Sequence, residues 1–127
     1  MRVRLSKTFR LEAAHMLPKV PEGHKCRRLH GHSYSVELVI EGPVDPETGW
    51  LVDYADVAEA FAPLQDQLDH RYLNDVEGLS NPTSENIARW IWDRLQGKLP
   101  LVEVRIGETC TSACIYRGDR AAGQRGP

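Results

Sequence analysis

Val3-Arg-Leu-Ser-Lys-Thr-Phe-Arg-Leu-Glu-Ala-Ala-His15 decides the fold class. Its odd positions read Val3, Leu5, Lys7, Phe9, Leu11, Ala13 and His15. Its even positions read Arg4, Ser6, Thr8, Arg10, Glu12 and Ala14. A period of two, broken once, is the signature of a strand with one face buried. The same period returns from His32 to Glu41, with Tyr34, Val36, Leu38 and Ile40 on one face and Ser33, Ser35, Glu37 and Val39 on the other. A long loop holding Pro18, Pro21 and Gly23 joins the two, so the second strand is expected to run antiparallel to the first.

Outward from this pair the pattern changes. Gly42-Pro43 stops the second strand and Asp45-Pro-Glu-Thr-Gly49 is a turn cluster. Asp53 is a helix cap, and Val57, Phe61, Leu64 and Leu68 keep helical spacing after it. Pro63 should kink that helix or restart it. Thr83 caps a second helix with Ile87, Ile91 and Leu95 as its stripe, widened by Trp90 and ended by Gly97. Val102, Val104 and Ile106 alternate with Glu103 and Arg105 in a third strand, and Ala113 to Arg117 makes a short fourth. The fold class is therefore α+β: a four-stranded antiparallel sheet with two helices on one face, in the order ββααββ. One domain over residues 1–118 is expected, with a disordered Gly- and Arg-rich tail over 119–127.

Sixteen Lys and Arg stand against eighteen Asp and Glu, a formal charge of −2. A nucleic-acid binder draws its affinity from phosphate neutralisation and is usually basic, so no nucleic-acid partner is expected. The local cluster Lys25, Arg27 and Arg28 suits a small anionic ligand, with solvated surface charge an equal alternative. No apolar run is long enough to span a membrane. Met1-Arg-Val-Arg-Leu-Ser-Lys7 has no signal-peptide apolar region. Three cysteines, an odd number, fit a reducing cytoplasm better than a disulfide framework.

His30-Gly31-His32 carries the first chemistry. Residues two apart on a strand share a face, about 7 Å apart along it. His15 ends the first strand on that strand's apolar face, and the return of the chain can set it opposite them. Three imidazoles with no fourth protein ligand is the arrangement of a catalytic zinc that keeps one position open. A chance His-x-His without metal stays a competing reading. Cys26 lies between Lys25 and Arg27, whose charge favours a thiolate base; an incidental loop thiol is the alternative. Asp69-His70 has the residue types of a proton relay, or of a solvated helix end. Glu108 can grip a paired N–H and NH2 edge, or simply be an exposed strand end. Cys110 and Cys114 have no zinc-knuckle spacing and read as buried or incidental thiols.

The runs Phe9-Arg-Leu-Glu-Ala-Ala-His15, Cys26-Arg-Arg-Leu-His-Gly-His32, Leu68-Asp-His70, Asn81-Pro-Thr-Ser-Glu85 and Glu108-Thr-Cys-Thr111 together resemble the pyruvoyl-tetrahydropterin synthase superfamily, over about residues 3 to 118. The spacing Cys-x3-His-Gly-His is similar to that of its carboxy-forming group. The pyruvoyl-forming enzymes usually carry a longer gap, and a folate-linked group has Glu in place of this Cys.

The resemblance implies the tunnelling fold, a zinc ion (Zn2+) on His15, His30 and His32, and Cys26 as base with Asp69 and His70 as relay. It implies Glu108 as pterin anchor, with Thr83, Ser84 and Glu85 lining the pocket and Lys25, Arg27 and Arg28 near a triphosphate. It further implies a lyase acting on 7,8-dihydroneopterin triphosphate, in a homohexamer built as two stacked trimers with sites between subunits. Other pterin side-chain enzymes are the near rival, and a zinc-stabilised binding module the distant one. A zinc hydrolase lacks its HExxH helix signature.

Overall fold

The computed structural model describes residues 1–119. The order is β1 (Arg2–His15), β2 (His30–Pro43), α1 (Tyr54–Leu68), α2 (Ser84–Leu95), β3 (Leu101–Thr109) and β4 (Ser112–Tyr116), with 3-10 turns at Lys25–Arg27 and Leu73–Asp75. The strands form one antiparallel sheet in the order β1-β2-β3-β4. The expected α+β class and ββααββ order are borne out. Among the described residues no helix is long and apolar enough to cross a membrane.

The period-two pattern lays the sheet's apolar face under the helices. Leu11, Tyr34, Val36, Leu38, Ile40, Val104 and Ile106 meet Val57, Phe61, Leu64 and Leu68 of α1 and Ile87, Ile91 and Leu95 of α2 in one buried cluster. Each such side chain contributes about 1.5–3 kcal/mol when fully buried. Both helices start where their caps predict: the Asp53 carboxylate accepts from the Ala55 N–H, and the Thr83 hydroxyl from the Asn86 N–H.

Pro63 does not divide α1, which runs unbroken from Tyr54 to Leu68. The carbonyl that loses its partner is that of Glu59, a residue on the exposed side. Glu103 alternates with the apolar residues of β3 yet is not exposed. It is buried on the helix-free face, paired with Arg105 at 3.1 Å and Arg117 at 2.9 Å. The long arginine stems cover it. Residues 120–127 of the expected tail lie outside the described residues; Asp119, at its start, pairs with Arg89 of α2.

Candidate active site

The β1–β2 register decides where the histidines go. His15 pairs with His30 across the ladder, and Ala13 with His32. β2 begins at His30, two residues earlier than the alternation suggests, so all three side chains project from paired strands onto one face. Their ligand atoms lie within 4.8 Å of one another, and this group can hold a metal ion. Ring centroids are 4.5 Å apart for His15–His30, 5.0 Å for His15–His32 and 4.8 Å for His30–His32. Tetrahedral zinc with bonds near 2.0–2.1 Å would set ligand nitrogens about 3.3 Å apart, within reach of small side-chain adjustments.

The donor set fits a cation. His15 Nδ1 lies 2.8 Å from the Pro82 carbonyl, and His30 Nδ1 lies 2.7 Å from the Arg28 carbonyl. A carbonyl only accepts, so both rings carry their hydrogen on Nδ1. Both Nε2 atoms then present lone pairs, and they face each other at 2.9 Å. Two lone pairs at that distance repel unless a positive charge, a proton or a metal ion, sits between them. Burial holds the His15 imidazole below the usual histidine range, with His30 and His32 adding to the effect; the Pro82 carbonyl and Glu108 pull the other way. A neutral imidazole is the form that ligates.

Pro82 reaches His15 because Asn81-Pro-Thr83 is the approach to α2. Thr83 closes the helix cap, Asn86 Nδ2 donates to the Asn81 carbonyl, and the Pro82 carbonyl is left pointing at the sheet. The chain beyond His15 is pinned as well, by Asn74, which bonds both the N–H and the carbonyl of Met16.

Asp69 and His70 do face each other: His70 Nδ1 is 3.1 Å from Asp69 Oδ1. The contact depends on a left-handed backbone at His70, φ 59°, which turns the chain back beside β1 at the end of α1. His70 and His32 line one open groove of about 560 Å³ together with Gly31, Arg71 and Tyr72. Glu108 lies at the other side of the cluster, its carboxylate 3.9 Å from His15 Nε2. It shares a smaller hollow of about 300 Å³ with Ser84, Glu85 and Cys114. The Cys114 thiol is pushed up by burial and by the Glu85 charge, so it stays protonated there. Cys110 is exposed on the β3–β4 turn.

Cys26 is half-buried on the Lys25–Arg27 turn. Its carbonyl accepts from the Leu17 N–H at 2.8 Å and its N–H donates to His24 Nδ1 at 3.1 Å. Among the described residues no hydrogen bond joins its thiol to the histidines or to Asp69–His70. Arg27 donates to the carbonyls of Pro18 and Val20, both at 3.0 Å, and so braces this loop from within. Lys25 and Arg28 are exposed.

A model of the 6-pyruvoyl tetrahydropterin synthase family matches residues 4–119. The chain belongs to this family. Its resemblance is borne out at the level of whole chains. It is 45% identical over 121 residues to a 6-carboxy-5,6,7,8-tetrahydropterin synthase of Synechocystis, covering 90% of this chain and 92% of that one. It is 42% identical over 104 residues to the 6-pyruvoyl tetrahydrobiopterin synthase of Drosophila melanogaster, covering 74% of this chain and 62% of that one. The solved 6-pyruvoyl tetrahydropterin synthase of Caenorhabditis elegans superposes with a TM-score of 0.84 at 27% identity, covering 94% of this chain and 97% of that one. The chain is an enzyme of this family.

Two groups that touch the cluster stand outside the motifs, the Pro82 carbonyl and the Tyr34 hydroxyl. Tyr34 was within reach: it lies two residues beyond His32 and therefore on the same face of β2. A backbone carbonyl leaves no mark in side-chain spacing.

Proposed function

We propose that this chain is a zinc-dependent carbon–carbon lyase that converts 7,8-dihydroneopterin triphosphate and one water to 6-carboxy-5,6,7,8-tetrahydropterin, acetaldehyde and triphosphate, in the route to queuosine and related 7-deazapurines. The carrying observation is the face-to-face approach of the Nε2 atoms of His15 and His30 at 2.9 Å, closed by His32 into a three-imidazole set that can hold a metal ion. The match in length to the carboxy-forming relative, and the Cys-x3-His-Gly-His spacing, favour that product over the pyruvoyl one.

When bound, zinc supplies Lewis acidity to the substrate's side-chain oxygens. The chain's own residues do the rest. Glu108 accepts from the N–H and NH2 edge of the pterin, with Ser84 and Glu85 beside it and Thr83 holding the helix start. The Asp69 carboxylate holds the His70 imidazole by its Nδ1, leaving Nε2 to take and return a proton in the groove it shares with His32. Cys26 serves as the base. Lys25 and Arg28 offer charge to the triphosphate, while Arg27 holds the loop that carries them.

Among the described residues the Cys26 thiol makes no hydrogen bond to His15, His30 or His32, which suits a site completed between subunits of a cytoplasmic homohexamer. Among the described residues β4 is an edge strand, and it and the part of β1 that residues 70–72 leave open offer strands for such joining.

Removal of the metal by a chelator is the test. Turnover should vanish and return with zinc, while far-ultraviolet circular dichroism stays that of the folded chain. Unfolding on chelation would instead favour a zinc-stabilised binding module.

A further inference from the structure

We infer that Tyr34 is a positioning residue of the histidine cluster, fixing the His15 ring through Nδ1 in the form whose Nε2 is free to take a metal ion. The inference rests on the metal reading proposed above and goes beyond it in adding a group outside the ligand set.

Tyr34 is 1% exposed, among the largest fully buried side chains of the molecule. Its hydroxyl lies 3.1 Å from His15 Nδ1. Its ring stands edge-on to His15 at 5.8 Å and to His32 at 5.4 Å, so it fills the floor beneath both ligands. Nδ1 thus has two oxygen neighbours, the Pro82 carbonyl at 2.8 Å and this hydroxyl. The carbonyl can only accept, so Nδ1 bears the hydrogen and the tyrosine oxygen is its second acceptor. The other tautomer would set a lone pair against the Pro82 carbonyl in a buried place. It would also put a hydrogen on Nε2, where the metal should bind. Ligating histidines are generally oriented by a partner on their second nitrogen, and loss of such a partner costs about 10- to 100-fold in metal affinity.

Three proteins separate this role from plain packing: the unaltered chain, Tyr34→Phe and Ile40→Val. Phenylalanine keeps the ring and removes only the hydroxyl. Ile40 is fully buried at the far end of β2, opposite Leu5, and reports a core defect away from the cluster. Zinc dissociation constants are measured by competition with a chromogenic chelator, beside the unfolding midpoint of each metal-free protein. Tyr34→Phe should bind zinc about 10- to 100-fold more weakly, and Ile40→Val should lower the midpoint with zinc affinity unchanged. Equal zinc affinity in Tyr34→Phe and the unaltered chain would overturn the role of Tyr34 and leave the metal site standing. An unaltered chain that holds no zinc would overturn the metal reading itself. Nitrogen-15 spectra of the zinc-loaded unaltered chain give a second reading independent of any variant: His15 protonated on Nδ1 is expected, and His15 protonated on Nε2 contradicts the inference.

Discussion

Asp69 and Glu12 are 57 residues apart, and the Glu12 N–H donates to Asp69 Oδ1 at 2.9 Å. The return bond runs from the His70 N–H to the Glu12 carbonyl at 2.6 Å. One residue of β1 thereby clamps both members of the proposed relay and holds His70 in its left-handed conformation. Strain of this kind persists only where the surroundings over-determine it.

This clamp sets the charge on Asp69. The Glu12 N–H, and after it His70, hold the carboxyl below the usual aspartate range. A folded value below the unfolded one, near 3.9, adds stability above that pH, which is lost as pH falls through the folded value. Asp69→Asn should therefore lack this share of the acid-limb loss in thermal melts. It keeps an oxygen for the Glu12 N–H, so its melting point at neutral pH should move little. Turnover should fall about 100- to 10,000-fold, as for loss of a general acid–base pair. Steady-state kinetics beside a pH series of melts checks both outcomes.

His15 titrates in the opposite sense to an ordinary ion-paired histidine. Burial lowers its folded value beneath the unfolded one of about 6.5. As pH falls below about 6.5, the unfolded chain takes up a proton that the folded chain refuses, so metal-free protein should lose stability until the folded value is passed. Unfolding midpoints of metal-free protein between about pH 8 and pH 5 should show this slope, and zinc should flatten it.

Gly118 supports the far end of the fold. Its φ is +81°, and a Cβ there would come within 2.7 Å of the Trp92 ring. Neither constraint relaxes cheaply, since the ring is rigid and buried. Gly118→Ala should cost about 2–3 kcal/mol in chemical denaturation, with metal affinity unaffected.

The basic cluster divides into two roles. Arg27→Ala removes two bonds inside the loop and should lower kcat by loosening Cys26. Lys25→Ala and Arg28→Ala leave the loop intact and should raise KM for the triphosphate substrate in a salt-dependent way. Kinetics at low and high ionic strength distinguish them.

Much of this was legible in the sequence because strand periodicity does two jobs at once. The alternation that names β1 and β2 also says that His15, His30 and His32 share a face with Leu11 and Tyr34. Thr83 and Asp53 announced their helices because a cap needs a short polar side chain. The Asp69–His70 contact was not legible, since it hangs on one left-handed residue that lacks the usual glycine. The burial of Glu103 was not legible because alternation gives a face but not its cover, here two arginines from β3 and the segment after β4. The bracing of Arg27 was hidden for a similar reason: its partners are carbonyls, which any sequence supplies.

The most direct measurement is the product of zinc-loaded protein supplied with 7,8-dihydroneopterin triphosphate, identified by mass spectrometry together with the released aldehyde. 6-Carboxy-5,6,7,8-tetrahydropterin with acetaldehyde is the predicted result. 6-Pyruvoyl-tetrahydropterin without acetaldehyde would contradict it, placing the chain's chemistry with that of the pyruvoyl-forming relatives.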